Sequence, residues 1–252
     1  MGGALLRGWL TAGLAPVAVL DPHIADQPGV IVLAGPEGVA DLAGPLCVVL
    51  AVKPGKIAGA LQTLSPYLEA DSLVLSVAAG VTLAQMRAAA GGAPKLVRTM
   101  PNTPSAIGKG AIGAVAERPL SAAHAAMAKR LLEAAGEVFW LEREDLIDAV
   151  IGISGSGPAY YYRFTEAMAK AGEKLGLPLD MAGRLAALTF AGSAAWLEAS
   201  GKSPSELRAE VTSPNGTTAA ALAVFDTDDR LDALIDEVTS ACVARAQEMS
   251  RG

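Results

Sequence analysis

The 252-residue chain has only two cysteines, Cys47 and Cys242, and two histidines, His23 and His124. So few thiols exclude a disulfide framework, and both are expected to be reduced, buried core residues. Neither histidine has a second metal ligand at a usable spacing. No metal site is expected, and a Ser/His/Asp hydrolytic device has almost nothing to be built from. A run of lysine or arginine is also missing, and the net charge is −6. No nucleic-acid partner is expected, because nothing offers a stripe that tracks phosphates. No uncharged run exceeds 15 residues, short of the roughly 20 needed to span a bilayer. Arg7 is the one charge before the N-terminus turns amphipathic. No signal peptide and no membrane association are therefore expected, and a cytoplasmic protein follows.

Apolar residues, by contrast, are plentiful at 52%, enough for a substantial core. In the first half, short apolar runs alternate with helical patterns, which predicts a parallel sheet flanked by helices. The expected strands are 17–20, 30–34, 46–52, 73–77, 95–99, 111–116 and 137–141, and the expected helices are 2–13, 57–68, 83–90 and 122–135. Runs such as "LCVVLAV" are apolar on both faces, as strands covered on both sides should be. From Glu142 onward, alanine-rich helical patterns take over, broken at "GLPLD", "SGKSPS" and "TSPNG". "RLAALTFAGSAAWLEAS" is apolar round much of its circumference, so a partner subunit is expected to cover it.

Five segments could carry chemistry. "AVKPGKI" (51–57) and "LSVAAGVTLAQM" (75–86) each leave a strand for a helix, where open α/β sheets bind ligands. The small residues Ala78, Ala79 and Gly80 leave room for a flat ring beside the backbone. "RTMPNTPSAIGKG" (98–110) brackets Asn102 with prolines and should present an amide free to hydrogen-bond. In "ISGSGPAYYYRF" (153–164), Pro158 suits the first turn of a helix, whose preceding N–H groups could meet an anion or a second helix. In "EVTSPNGTTAAAL" (210–222), a sharp turn at Pro214-Asn215-Gly216 precedes a helix starting at Thr217-Thr218. Its unpaired N–H groups and hydroxyls suit a small carboxylate, though a capped turn holding nothing has the same pattern.

Taken in order, "LAVKP", "SVAAGVTL", "MPNTP", "GISGSGPAY" and "LRAEVTSPNGTTAAAL" resemble the pyrroline-5-carboxylate reductases, the last enzymes of proline biosynthesis. The resemblance implies a Rossmann-like doubly wound α/β domain over residues 1–145. It implies an all-α substrate-binding and dimerisation domain over 146–252, forming homodimers and often decamers. The implied reaction is reduction of a cyclic imine by NADPH or NADH. Met1, Asp21, Ala51, Val52, Lys53, Pro54, Val77, Ala78, Ala79 and Asn102 would line the cofactor. Ser213, Asn215, Gly216, Thr217 and Thr218 would hold the substrate carboxylate. No catalytic acid or base is implied, because a protonated imine is already electrophilic and hydride transfer needs mainly positioning.

Three departures accompany the resemblance. Asn215 stands where glycine is usual, and Asn tolerates a left-handed backbone. Asp21 ends an expected strand where an acid bonds a ribose 2′-hydroxyl and repels a 2′-phosphate, which favours NADH. The family's opening strand and glycine turn would lie ahead of Met1, so the expectation is a chain truncated at its dinucleotide-binding motif and a sheet lacking its first strand. A non-catalytic relative that cannot hold the dinucleotide is one alternative. A β-hydroxyacid dehydrogenase is another, but it needs a lysine on the helix after the glycine-rich turn. Arg163 is the first basic residue there, and Lys170 is followed three residues on by Glu173 instead of asparagine.

Overall fold

The computed structural model describes residues 1–92, 94–117 and 120–251. They form two compact units, one of residues 1–158 with 241–252 and one of residues 159–240. Residue 145, where the sequence pattern turns helical, precedes helix α5 (Leu146–Val150) within the first unit.

In the first unit the strands are β1 (Val17–Val19), β2 (Val30–Val32), β3 (Cys47–Leu50), β4 (Leu73–Ser76), β5 (Lys95–Met100), β6 (Gly110–Ala116) and β7 (Gly136–Trp140). The helices before α5 are α1 (Gly2–Thr11), α2 (Ile57–Leu64), α3 (Leu83–Ala90) and α4 (Ala122–Glu133). Helix α2 stops short of the expected residue 68 because Pro66 tightens the chain into a 3-10 turn over Ser65–Tyr67. Thr82 and Gln85 form a reciprocal capping box at the start of α3, and Gly91 closes it in the left-handed conformation, which glycine adopts without strain.

Strands β3, β4 and β5 are parallel, and β6–β7 is parallel, but β5–β6 is antiparallel. The expected parallel sheet thus has one antiparallel step. Only Pro101 to Lys109 separate β5 from β6, and a parallel crossover needs a dozen or more residues. The buried strand β4 divides the core by alternation. Leu73 and Leu75 join Leu5, Leu6 and Trp9 of α1 and Leu132 of α4 on one face. Val74 joins Ile57 and Leu61 of α2 and Met86 of α3 on the other. Helices cover both faces, as the apolar runs predicted. Each fully buried leucine contributes about 2 kcal/mol relative to exposure.

Among the described residues, strands β1 and β2 pair only with each other, apart from the five-stranded sheet β3 to β7. Val17, Val19, Cys47 and Val49 nevertheless pack on the same apolar cluster. Val17 N–H donates to Gly29 and Val19 C=O accepts from Leu33, so the backbone of Ala18 faces away from β2. Leu46 and Leu50 carbonyls accept from Leu73 and Val77, so Cys47 and Val49 likewise face away from β4. Open edges exchange their amide hydrogens easily. Native-state hydrogen exchange at Ala18, Cys47 and Val49 is expected to run about 100-fold faster than at Leu73 to Ser76. Equal protection would mean that these edges are paired.

The second unit is helical. Helix α6 (Gly157–Lys174) enters it, followed by α7 (Leu179–Ser200), α8 (Pro204–Glu210) and α9 (Thr217–Asp226), and α10 (Arg230–Arg251) leaves it. Gly172 of α6 meets Ala182 of α7, where an added Cβ would lie 2.9 Å from the alanine Cβ. The rings of Tyr161 and Phe190 stack with centroids 5.5 Å apart. Tyr162, Phe164, Met168, Leu185, Leu188 and Trp196 remain exposed, the apolar surface expected of an element that needs a partner.

Candidate active site

In the first unit, the carboxyl ends of the strands lie in register. Leu50 pairs with Ser76, and Ser76 with Arg98. The following residues 51–54, 77–79 and 100–102 therefore line up along one sheet edge. Ala51, Val52 and Lys53 are exposed and Pro54 is half-buried. Lys53 C=O accepts from Lys56 N–H at 2.8 Å and turns the chain into α2. Val77 and Ala78 are buried, Ala79 is half-buried, and Gly80 turns with a φ of 75°. Ala78 N–H donates to Ser76 Oγ.

Met1 meets this edge through its helix. Its carbonyl accepts from Ala4 and Leu5 N–H, and α1 has no side-chain cap and no acid in its first turn. The N–H groups of Gly2 and Gly3 thus stand at a bare helix start. A Cβ on Gly2 would lie 2.9 Å from Ala51 Cβ, so glycine lets the helix start approach the end of β3. This donor set suits a phosphate anion. Asp21 lies just past β1, exposed, and its Oδ1 accepts from His23 N–H at 2.9 Å.

Asn102 differs from the expected free amide. It is buried, its Oδ1 accepts from Ala111 N–H at 3.1 Å, and its Nδ2 donates to the Ser154 carbonyl at 3.0 Å. It clamps the turn after β5 to the start of β6 and to the segment 151–155. That segment also departs from expectation. Ile151–Gly155 is a π-helical turn between α5 and α6, and Ser156 N–H donates back to Ile151. The backbone before Pro158 is part of this continuous helical path and not a fresh helix start. Such π turns recur at functional sites.

In the second unit the expected turn is present. Asn215 has a φ of 57°, Gly216 N–H donates to Ser213 C=O at 3.0 Å, and α9 starts at Thr217 with no side-chain cap. Five candidate residues are gathered around one bare helix start. Upstream, Ser203 and Glu206 form the capping box of α8. Hydrogen bonds from the Ser203 hydroxyl and N–H hold the Glu206 carboxyl below its ordinary range. The cap accounts for the position of this acid.

An ion cluster around a buried arginine, with two half-buried carboxylates, escaped the sequence reading. Arg98 is 3% exposed on β5, with Nη1 3.0 Å from Glu144 Oε1 and Nη2 3.7 Å from Asp148 Oδ1. Glu144 also accepts from Leu83 N–H at 2.7 Å. The cluster thereby ties the β4–α3 turn to α5. The available signal was a single arginine in the otherwise apolar "LVRTM", matched by the acids of "EREDLID". Cys47 and Cys242 are half-buried and not core residues as expected; burial of the Cys47 thiol pushes its pKa up to about 12, which disfavours the reactive thiolate. Among the described residues, no group of three His, Cys, Asp or Glu could hold a metal ion, and no helix is long and apolar enough to cross a membrane.

The doubly wound strands, their open carboxyl ends and the following helices define an α/β dinucleotide-binding fold joined to a helical domain, the architecture of nicotinamide-dependent oxidoreductases. A family described as pyrroline-5-carboxylate reductase dimerisation matches residues 144–249. The pyrroline-5-carboxylate reductase of Pseudomonas aeruginosa is 42% identical over 99% of this chain and 93% of its own length. The solved structure of a pyrroline-5-carboxylate reductase from Coxiella burnetii is 33% identical with a TM-score of 0.90, covering 99% of this chain and 94% of that one. The pyrroline carboxylate reductase of Plasmodium falciparum, solved with NADP bound, is 25% identical with a TM-score of 0.84, covering 99% and 94% of the two chains. The chain belongs to the pyrroline-5-carboxylate reductase family.

Proposed function

We propose that the protein reduces 1-pyrroline-5-carboxylate to L-proline with NADPH or NADH, the last step of proline biosynthesis. The observation that carries this reading is the family's likeness along the whole chain, from α1 to α10. The bound dinucleotide supplies a hydride to the imine carbon. The remaining work is positioning. The Gly2 and Gly3 N–H groups beside Met1 receive the pyrophosphate, and Asp21 receives the adenosine ribose. Ala51, Val52, Lys53 and Pro54, with Val77, Ala78 and Ala79, form the wall along the cofactor, and Asn102 holds its far end in shape. Thr217 and Thr218 donate N–H and hydroxyl groups to the substrate carboxylate, in a cradle shaped by Ser213, Asn215 and Gly216. The substrate's own protonated nitrogen makes the carbon electrophilic, and no side chain is needed as acid or base.

In this reading residues 1–145 hold the dinucleotide, and residues 146–252 hold the substrate and a second copy of the chain. The exposed apolar faces of α6 and α7 form the dimer interface, and dimers assemble further, to a decamer. The protein acts in the cytoplasm without nucleic-acid or membrane partners.

The test is loss of reduced-nicotinamide absorbance when pyrroline-5-carboxylate is added to the enzyme with either cofactor. Thr218→Val tests the carboxylate site in the same assay. Hydrogen bonds to a charged group contribute about 1.5–3 kcal/mol, so KM for the imine should rise about 10- to 100-fold with cofactor affinity unchanged. An unchanged KM would remove Thr218 from the site. Consumption of neither cofactor would favour the non-catalytic relative.

A further inference from the structure

We infer that the dinucleotide this protein selects is NADH, and that Asp21 sets the choice. The inference rests on the reductase reading and deepens it by naming the cofactor.

Two strand ends carry it. Strand β1 is parallel to β2, with Val19 opposite Val32 and Leu33 N–H donating to Val19 C=O. Asp21 therefore follows the carboxyl end of β1 beside the chain leaving β2 at Ala34-Gly35. Its carboxylate is steadied by the His23 N–H, with Pro22 stiffening the turn between them. A carboxylate at this position accepts hydrogen bonds from a ribose that keeps its 2′-hydroxyl. At the end of β2, the Glu37 carboxylate folds against the backbone of Gly35, on the spot a Cβ there would occupy. Acids thus stand at both strand ends.

The wider charge distribution points the same way. From Gly8 to Val52 the chain has no lysine or arginine, while it has Asp21, Asp26, Glu37 and Asp41. A 2′-phosphate brings about −1.5 to −2 charges at neutral pH and would find no fixed cation on these segments. His23 is the one imidazole there, and its backbone already serves Asp21. NADH loses nothing in such surroundings, because its 2′-hydroxyl donates where the phosphate is repelled.

Binding of NADH and of NADPH to the full chain, read by nicotinamide fluorescence, tests the inference without relying on turnover. Wild type should bind NADH about 100-fold more tightly than NADPH. Asp21→Ser removes the repelling charge and keeps a small hydrogen-bonding side chain. It should weaken NADH, tighten NADPH and shrink the ratio at least about tenfold. A gain for NADPH is something that mere loss of structure cannot produce, and Asp236→Asn, at an exposed acid of α10 outside these segments, should leave the ratio within about twofold. Equal or tighter NADPH binding in wild type, or a ratio unmoved by Asp21→Ser, overturns the inference while leaving the reductase reading intact. Tight NADH binding with no reduction of the imine overturns the reading and leaves the inference. Binding of neither dinucleotide overturns both.

Discussion

Gly136→Ala is expected to unfold the α/β unit or to destabilise it by about 4 kcal/mol or more, among the largest effects of any single methyl group. Gly136 opens β7 opposite Gly110 of β6. Its φ of 154° already disfavours a side chain, and an added Cβ would fall inside contact distance of the nitrogen, carbonyl carbon and oxygen of Gly110. Backbone cannot rotate aside as a side-chain end can. Nor can Gly110 retreat, because its N–H donates to Ala135 C=O at 3.0 Å and its own Cβ position is filled by Ser105 and by Ala135 O at 2.7 Å. Ala135 is fully buried in the cluster under α1 and α4. The strain is therefore passed to a close-packed core, where overpacking alone costs about 1–3 kcal/mol, and a lost ladder hydrogen bond adds to it. Such a sum is a large part of the 5–15 kcal/mol that holds a typical domain together.

The control is Gly59→Ala. Gly59 lies inside α2 with nothing near its Cβ position, and alanine there should stabilise by about 0.5–1 kcal/mol. Denaturant midpoints of both variants, at one protein concentration because assembly adds its own stability, give the comparison. A Gly136→Ala midpoint within about 1 kcal/mol of wild type would show that the β6–β7 ladder yields.

Most strands were legible because each is a short apolar run stopped by glycine, proline or acid. The ends moved by a residue or more, as where 46–52 became Cys47–Leu50. Local pattern did not reveal direction. "MPNTPSAIGKG" reads as a loop, and only its shortness decides that β6 runs back against β5. The turn proposed to hold the substrate was legible because backbone conformation alone defines it. "SPNGTT" names a turn and a helix start, and both are present.

What could not be read depends on residues far apart in sequence. The Asn102 amide reads as free until Ala111 and Ser154 take it up. The π turn at 151–155 leaves no compositional mark. The last turns of α10 return to the α/β unit. Ala246 is buried with Val115, Ile147 and Ile151, and a Cβ on Gly80 would lie 2.9 Å from Met249 Cβ. No periodicity in a single helix announces that its end belongs to a different unit from its start.

Removal of the Arg98 charge should rank next in effect. Arg98→Met keeps most of the side-chain volume but leaves Glu144 and Asp148 facing each other without their shared cation. The charges left behind, on Glu144 and Asp148, are only half-buried, so the loss should lie toward the lower end of the roughly 3–5 kcal/mol that breaking a buried pair from one side costs. Replacing the whole set costs far less, because no charge is then stranded. The triple variant Arg98→Met, Glu144→Gln, Asp148→Asn should accordingly recover more than half of the loss. The glutamine can still accept from Leu83 N–H, the bond that fixes the start of α3 behind Ala78 and Ala79. Denaturation measures the stability, and cofactor titration adds a second readout. If Glu144 positions the β4–α3 turn through Leu83, Glu144→Leu should weaken cofactor binding several-fold while Glu144→Gln preserves it. Equal affinities in those two variants would confine the cluster to stability. An Arg98→Met protein within about 1 kcal/mol of wild type would show that its ions already meet water.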